Sequence, residues 1–347
     1  MDSGYVYLPR TGDPRNNPNE KIPVQTGRAL LRFNPTWSDG KWFVQGQAEL
    51  VAQKNQAQPQ PYQATADEVW IKVGRWRSFD IQAGRYQAWE VYHFGMGLDL
   101  YTLEREGAQD TAFNTLGQGF PAIYGVTTAF YLPAAVGEAG LHLYPSDNLR
   151  FEVGTQFGED ESSYNDVALR PVGILDLGWM KLKGGAEWKQ QKPQKDNSDG
   201  GQWNYGAGGS LQFVLDPVAE FGVNYAYGQQ IQHSFTDGTR QNNACYSTYS
   251  VGGFANVRLA DGLLAGAGLN YTYLVNQYFS TKLGRFEDFD QWQGFVAVQY
   301  HLFKQVFLKA VGGYALANFN PIETDTTDPI VHTDRMYSGR LRATYLF

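Results

Sequence analysis

Apolar and polar residues take turns along most of this chain. In residues 337–347 one face carries Tyr337, Gly339, Leu341, Ala343, Tyr345 and Phe347, while the other carries Ser338, Arg340, Arg342, Thr344 and Leu346. Residues 203–215 repeat the pattern, with Trp203, Tyr205, Ala207, Leu211 and Phe213 opposed by Asn204, Gly206, Gly208, Ser210 and Gln212. In residues 219–227, Phe221, Val223, Tyr225 and Tyr227 oppose Glu220, Gly222, Asn224 and Ala226. Successive side chains of a β-strand point to opposite faces, so a period of two predicts strands with one apolar and one polar face. A soluble core has no place for a face holding Arg340 and Arg342. A tilted strand crossing a bilayer needs about 9–11 residues, which these runs supply.

Crossings are expected at residues 28–37, 41–53, 68–76, 80–90, 135–144, 148–157, 168–178, 180–189, 202–215, 218–229, 248–259, 263–277, 290–302, 305–317 and 335–347. An antiparallel ring closes on an even number, so residues 4–9 are taken as a first strand, giving sixteen; residues 123–132 with part of the preceding segment would make eighteen. Short links such as Ser38-Asp39-Gly40, Asp216-Pro217 and Ala260-Asp261-Gly262 alternate with long ones at 54–66, 159–166, 190–201, 230–246, 279–288 and 319–334. That alternation is the habit of membrane barrels with short periplasmic turns and long external loops, and it puts both chain ends on the short-turn side. The fold predicted is all-β: one transmembrane antiparallel β-barrel over residues 1–347, with 91–134 as a long loop without strand alternation. Aromatics at strand ends (Trp37, Trp42, Trp76, Trp179, Trp188, Trp203, Tyr300, Phe303) are placed as an interfacial girdle would place them.

Composition narrows the classes. A mean hydropathy of -0.43 with 39 glycines and no apolar run near the roughly 18 residues of a spanning helix excludes a helical membrane protein. A net charge of -7 argues against a nucleic-acid partner. The single cysteine, Cys245, excludes an internal disulfide and any multi-thiolate metal site, and no cofactor is expected. His93, His142, His233, His301 and His332 are scattered, with no spacing that suggests zinc, and no serine has an evident positioned base, so no enzyme is predicted. Gly206-Ala207-Gly208-Gly209 lies inside an alternating run, where glycine relieves crowding. The opening Met1-Asp2-Ser3-Gly4 is not an export segment, which suggests that a signal peptide has been removed.

The aromatic-rich last strand ending in Phe347 resembles the terminal strand of Gram-negative outer-membrane proteins, and the organisation over nearly the whole chain is similar to that of the general and substrate-selective trimeric porins. The resemblance implies a bacterial outer-membrane location among lipid and lipopolysaccharide, a homotrimer, and a C-terminal signal at Tyr345 and Phe347 read by the barrel-assembly machinery. It also implies that segment 91–134 folds into the lumen as a constriction, presenting Asp99, Glu104, Glu106 and Asp110 to the pore.

Extending the alternation names the inward charges. The basic candidates are Arg28, Arg32, Lys72, Arg150, Lys181, Lys183, Arg258, Lys309, Arg340 and Arg342; the acidic ones are Glu49, Glu152, Asp176, Glu187 and Glu220. Arg28 and Arg32 near one seam of the ring, with Arg340 and Arg342 on the other, are expected to form one cationic patch. The predicted function is passage of small polar solutes with a modest preference for anions or small carboxylates, since charges lining a narrow aqueous path select ions. The competing expectations are that the arginines pair with wall acids and only stiffen the barrel, and that the barrel is closed and acts as a scaffold or adhesin through loops such as 230–246.

Overall fold

A computed structural model describes residues 2–9, 19–55, 62–86, 89, 137–160, 163–191, 199–236, 239–276, 288–320 and 332–345. Its strands are β1 (Asp2–Pro9), β2 (Asn19–Phe33), β3 (Thr36–Ser38), β4 (Trp42–Asn55), β5 (Tyr62–Arg75), β6 (Phe79–Arg85), β7 (Gly137–Ser146), β8 (Leu149–Asp160) and β9 (Ser163–Asp176). They continue as β10 (Met180–Gln191), β11 (Asp199–Leu215), β12 (Ala219–Thr236), β13 (Thr239–Ala260), β14 (Leu263–Asn276), β15 (Asp288–Phe303), β16 (Val306–Asn320) and β17 (His332–Tyr345). Apart from β2 and β3, each pairs antiparallel with its neighbours in sequence, and β1 closes the ring by pairing with β2 on one side and β17 on the other, where Asp2 faces Arg342 and Tyr7 faces Tyr337. β2 and β3 both pair with β4 and form one stave broken at Asn34-Pro35, where proline has no N–H for a ladder. The described ring therefore has sixteen staves. Residues 123–132, the source of the eighteen-strand alternative, lie outside the described residues.

Burial runs opposite to that of a soluble sheet. Leu31, Leu50, Val73, Val153, Val223, Val251, Val296 and Leu341 are exposed, whereas Gln82, Glu152, Asn224, Asn256 and Asn270 are buried. In a closed ring this fixes the apolar face outward, against hydrocarbon, and the polar face inward. Closure leaves no sheet edge, which hydrocarbon could not solvate. The outward aromatics set the thickness. Tyr205 and Phe213 on β11, Trp292 and Tyr300 on β15, and Tyr337 and Tyr345 on β17 are each eight residues apart. At about 3.4 Å per residue and a tilt of about 40°, the two girdles stand roughly 21 Å apart along the membrane normal, close to the ~25 Å apolar band of such barrels.

Several expected boundaries are corrected. The strand expected over 80–90 ends at Arg85, after which Tyr86 and Trp89 are buried and half-buried against the wall. The expected external loop 230–246 is paired structure: Ile231 faces Cys245 and Thr236 faces Thr239, so β12 and β13 run on as a hairpin beyond Tyr227 and Tyr249. The expected links 54–66 and 159–166 are shorter than anticipated, since β4 reaches Asn55, β5 starts at Tyr62 and β8 pairs with β9 as far as Asp160. A register shift opposite Ala48 and Leu50, where Asp67 and Glu68 together face Glu49, marks a bulge in β5.

Candidate functional site

The inner wall divides into two arcs of different chemistry. On β4–β10 charges are interlaced. Arg32 Nε lies 2.5 Å from Glu49 Oε1, and Gln47 bridges Glu49 and Glu68 at 2.9 and 2.6 Å. Lys72 Nζ is 3.8 Å from Asp80 Oδ1, which also lies 2.5 Å from His142 Nδ1, and Lys181 Nζ is 3.5 Å from Asp176. Arg170 Nη1 donates to Glu152 Oε1 at 3.2 Å, and its Nε lies 3.9 Å from Glu187. These bonds follow from strand geometry: alternate residues of adjacent strands meet on one face, so β6, β7, β8 and β9 bring Asp80, His142, Glu152 and Arg170 into one connected row.

Trp89 is seated on that row. Its N–H donates to both carboxylate oxygens of Glu152, at 3.2 and 3.3 Å, and its carbonyl oxygen accepts from Arg170 Nη2. Its indole stacks on the His142 ring, with centroids 4.8 Å apart and planes at 13°, and the Arg150 guanidinium lies 5.2 Å from the indole. Tyr86 N–H donates to Glu138 Oε2 at 3.1 Å. The chain leaving β6 thus turns onto the inner wall.

Between the arcs lie amides and hydroxyls. Glu220 accepts from Gln212 Nε2 at 2.8 Å and from Asn256 Nδ2 at 2.6 Å, while Ser250 and Thr272 bond at 2.9 Å. On the β13–β17 arc the inner face holds Arg258, Lys309 and Arg342. Lys309 and Arg342 are register partners across β16 and β17.

Of the basic candidates, Arg32, Lys72, Lys181 and Arg150 are thus engaged as described, Lys183 and Lys309 are buried, and Arg258 is exposed. The backbones of Arg28 and Arg340 are paired, opposite Gln53 and Gly4, and their side chains lie outside the described set. Within the expected patch of Arg28, Arg32, Arg340 and Arg342, the strand register sets Arg32 apart from Arg340. Arg340 is level with Val24 of β2, through Gly4, and Arg32 is eight residues further along β2, about 26 Å at ~3.3 Å per residue. Asp99, Glu104, Glu106, Asp110 and Phe347 lie outside the described residues; Tyr345 faces outward and is exposed. Arg170, Asp80, Glu138 and Trp89 were not among the sequence candidates. Among the described residues no group of three or more His, Cys, Asp and Glu is arranged to hold a metal.

No family model and no curated relative matches the chain. Solved structures do. OmpT, an outer membrane protein of Vibrio cholerae, is 13% identical with a TM-score of 0.62, over 99% of this chain and 95% of that one. The outer membrane channel DcaP of Acinetobacter baumannii is 11% identical with a TM-score of 0.63, over 100% and 95%. An anion-selective porin from Comamonas acidovorans is 12% identical with a TM-score of 0.59, over 99% and 97%. The fold is that of the sixteen-stranded outer-membrane porins.

Proposed function

We propose that this chain is a passive channel of the bacterial outer membrane, passing small polar solutes through its lumen with a modest preference for anions, and that it works as a homotrimer among lipid and lipopolysaccharide. The observation that carries the reading is a closed sixteen-stave ring with an apolar outside and a polar inside, a shape whose inner surface is made for water and ions rather than for packing. A DcaP channel, an anion-selective porin and a trimer form of OmpT among the structures of like fold agree with it. No catalysis is part of the reading.

The preference for anions is supported by the bases that face the lumen on the β13–β17 arc, Arg258, Lys309 and Arg342. On the β4–β10 arc the acids offset the bases, which keeps the preference modest. We further assign segment 91–134 to the narrowing of the lumen, with Asp99, Glu104, Glu106 and Asp110 opposing the basic arc; Trp89, held on the inner wall just before that segment, supports this. The test is single-channel conductance in planar bilayers with reversal potentials in a salt gradient. Stepwise currents with anions favoured are expected, and Lys309→Gln with Arg342→Gln should move the reversal potential toward cations, most at low salt where screening is weakest. The β12–β13 hairpin, which extends past the aromatic girdle, favours a second reading, a closed barrel binding an outside partner; absence of any current would select it.

A further inference from the structure

His142 on β7 stands between two carboxylates and uses both ring nitrogens. Nδ1 lies 2.5 Å from Asp80 Oδ1 and Nε2 lies 3.0 Å from Glu152 Oε2, and the residue is 1% exposed. An ionised carboxylate only accepts hydrogen bonds. Both contacts are therefore bonds only when each nitrogen carries a proton, as in imidazolium; a neutral ring has one N–H and leaves one carboxylate facing a lone pair.

The groups around the ring come from every neighbouring strand. β5 contributes Lys72, 3.8 Å from Asp80, and β6 contributes Asp80 itself. β7 adds Tyr144, whose hydroxyl donates to Asp80 Oδ2 at 2.8 Å, and Glu138, which accepts from Gln156 and from the Tyr86 backbone. β8 brings Glu152 and Arg150, and β9 brings Arg170. The Tyr86 hydroxyl closes the remaining side: a Cβ on Gly140 would fall 2.7 Å from that oxygen and 3.6 Å from His142 Nε2, so glycine makes room for both. The carboxylates of Asp80, Glu138 and Glu152 thus face Lys72, Arg150 and Arg170, and the proton on His142 changes the charge of this group by one.

We propose that His142 is a proton-operated selectivity element of the lumen wall: its proton sets the charge of the β5–β9 arc and the hold on Trp89. When the proton leaves to lumen water, one imidazole–carboxylate bond is lost and the cationic partner under the indole becomes neutral. Glu152 then has one donor fewer while still bonding Trp89 N–H. The inference rests on the channel reading above, because selectivity needs a conducting lumen. One charge about 7 Å from a permeating ion in an aqueous path changes the permeability of each ion roughly two- to threefold, in opposite directions for anions and cations, and so the ratio of the two roughly five- to tenfold.

The experiment uses the full chain, refolded in detergent and in planar bilayers. Ring ¹⁵N signals of the histidines, with His142 identified by its loss in His142→Asn, should show a single one-proton step for this ring on titration. The difference in tryptophan emission between the wild type and Trp89→Phe should follow the same midpoint. So should the anion-to-cation permeability ratio at low salt, falling roughly five- to tenfold as the proton leaves, and His142→Asn or His142→Gln should hold the ratio at its deprotonated level throughout. Co-titration of the ring signals with the permeability ratio is read in the unaltered protein, the variants serving to assign the signals. A His142 ring without a proton step, or a step that the ratio ignores, overturns this proposal alone. A barrel silent at every pH overturns the channel reading, while the ring signals and Trp89 emission still report whether the proton is there.

Discussion

Arg170 Nη2 donates to the carbonyl oxygen of Trp89 at 2.5 Å, although the two residues lie 81 positions apart. The same guanidinium holds Glu152, and both residues are 1% exposed. Removing one partner of a buried pair leaves the other charge uncompensated, which costs about 3–5 kcal/mol. Arg170→Met should therefore lower stability to urea in micelles by that order, and Glu152→Gln added to it should restore part of the loss. Equal losses in the single and the double variant would show that the ion pair is not the source.

Depth in the bilayer gives a second prediction. Val296 lies four residues from Trp292 and four from Tyr300, and Leu341 is placed the same way between Tyr337 and Tyr345, so both sit at the midplane; they are 65% and 64% exposed. Val296→Arg or Leu341→Arg should cost about 2–4 kcal/mol, and Tyr300→Arg, at the girdle, about 0–1 kcal/mol. Unfolding in bilayers of defined thickness would show whether the penalty follows depth. A flat profile means that the outward face does not meet hydrocarbon.

Inside the wall, aromatic rings lie over glycines of the neighbouring strand. A Cβ on Gly268 would come within 2.4 Å of Phe295 Cε1, and one on Gly222 within 2.6 Å of Phe254 Cε1. Gly268→Val should therefore destabilise by about 1–3 kcal/mol through overpacking. Adding Phe295→Ala should relieve it, a coupling that a double-variant cycle reads directly. Independent, additive losses would contradict the packing seen.

At the short-turn end, Asp39 Oδ1 accepts the backbone N–H groups of Trp42 at 2.7 Å and Lys41 at 2.8 Å, and these bonds hold its carboxyl below the usual range. A lowered folded value means that the bonds contribute above the ordinary carboxylate range and are lost as pH falls through the folded value. Hydrogen exchange at the Lys41 and Trp42 amides should lose protection on acidification in the wild type. In Asp39→Asn, whose amide oxygen accepts at any pH, that loss should be absent.

The strands were legible because hydrocarbon on one side and water on the other write a period of two into the sequence: the outward set Tyr337, Leu341, Tyr345 on β17 reads without any structure. Where both faces meet water the signal vanishes, which is why Gln230 to Tyr246 read as loop although β12 and β13 stay paired there. Face is not register. Parity placed Arg28, Arg32, Arg340 and Arg342 inside, but the offsets between β17, β1 and β2 decide which of them meet, and no local pattern encodes those offsets. Arg170 has the same parity as the candidate Asp176 on β9 and was open to the same argument. Its partners Glu152 and Trp89 come from other parts of the chain, and only the assembled wall shows them.

The seam between β1 and β17 is the one place where the ring joins residues from opposite ends of the sequence, Asp2 with Arg342 through Tyr7 with Tyr337. Every other pairing among the described strands links staves adjacent in sequence, so the remaining neighbours can pair while the ends are far apart, and loop-closure entropy grows only slowly with the length spanned. In hydrocarbon, however, each unpaired backbone group costs several kcal/mol, and an open seam would present a full strand of them on both lips. The folding route this allows is a sheet that grows by hairpins at a watery or protein-lined surface and enters the lipid only when its last pairing zips. For this chain, insertion and closure are then a single cooperative event, and a substitution that slows the seam slows membrane entry as a whole.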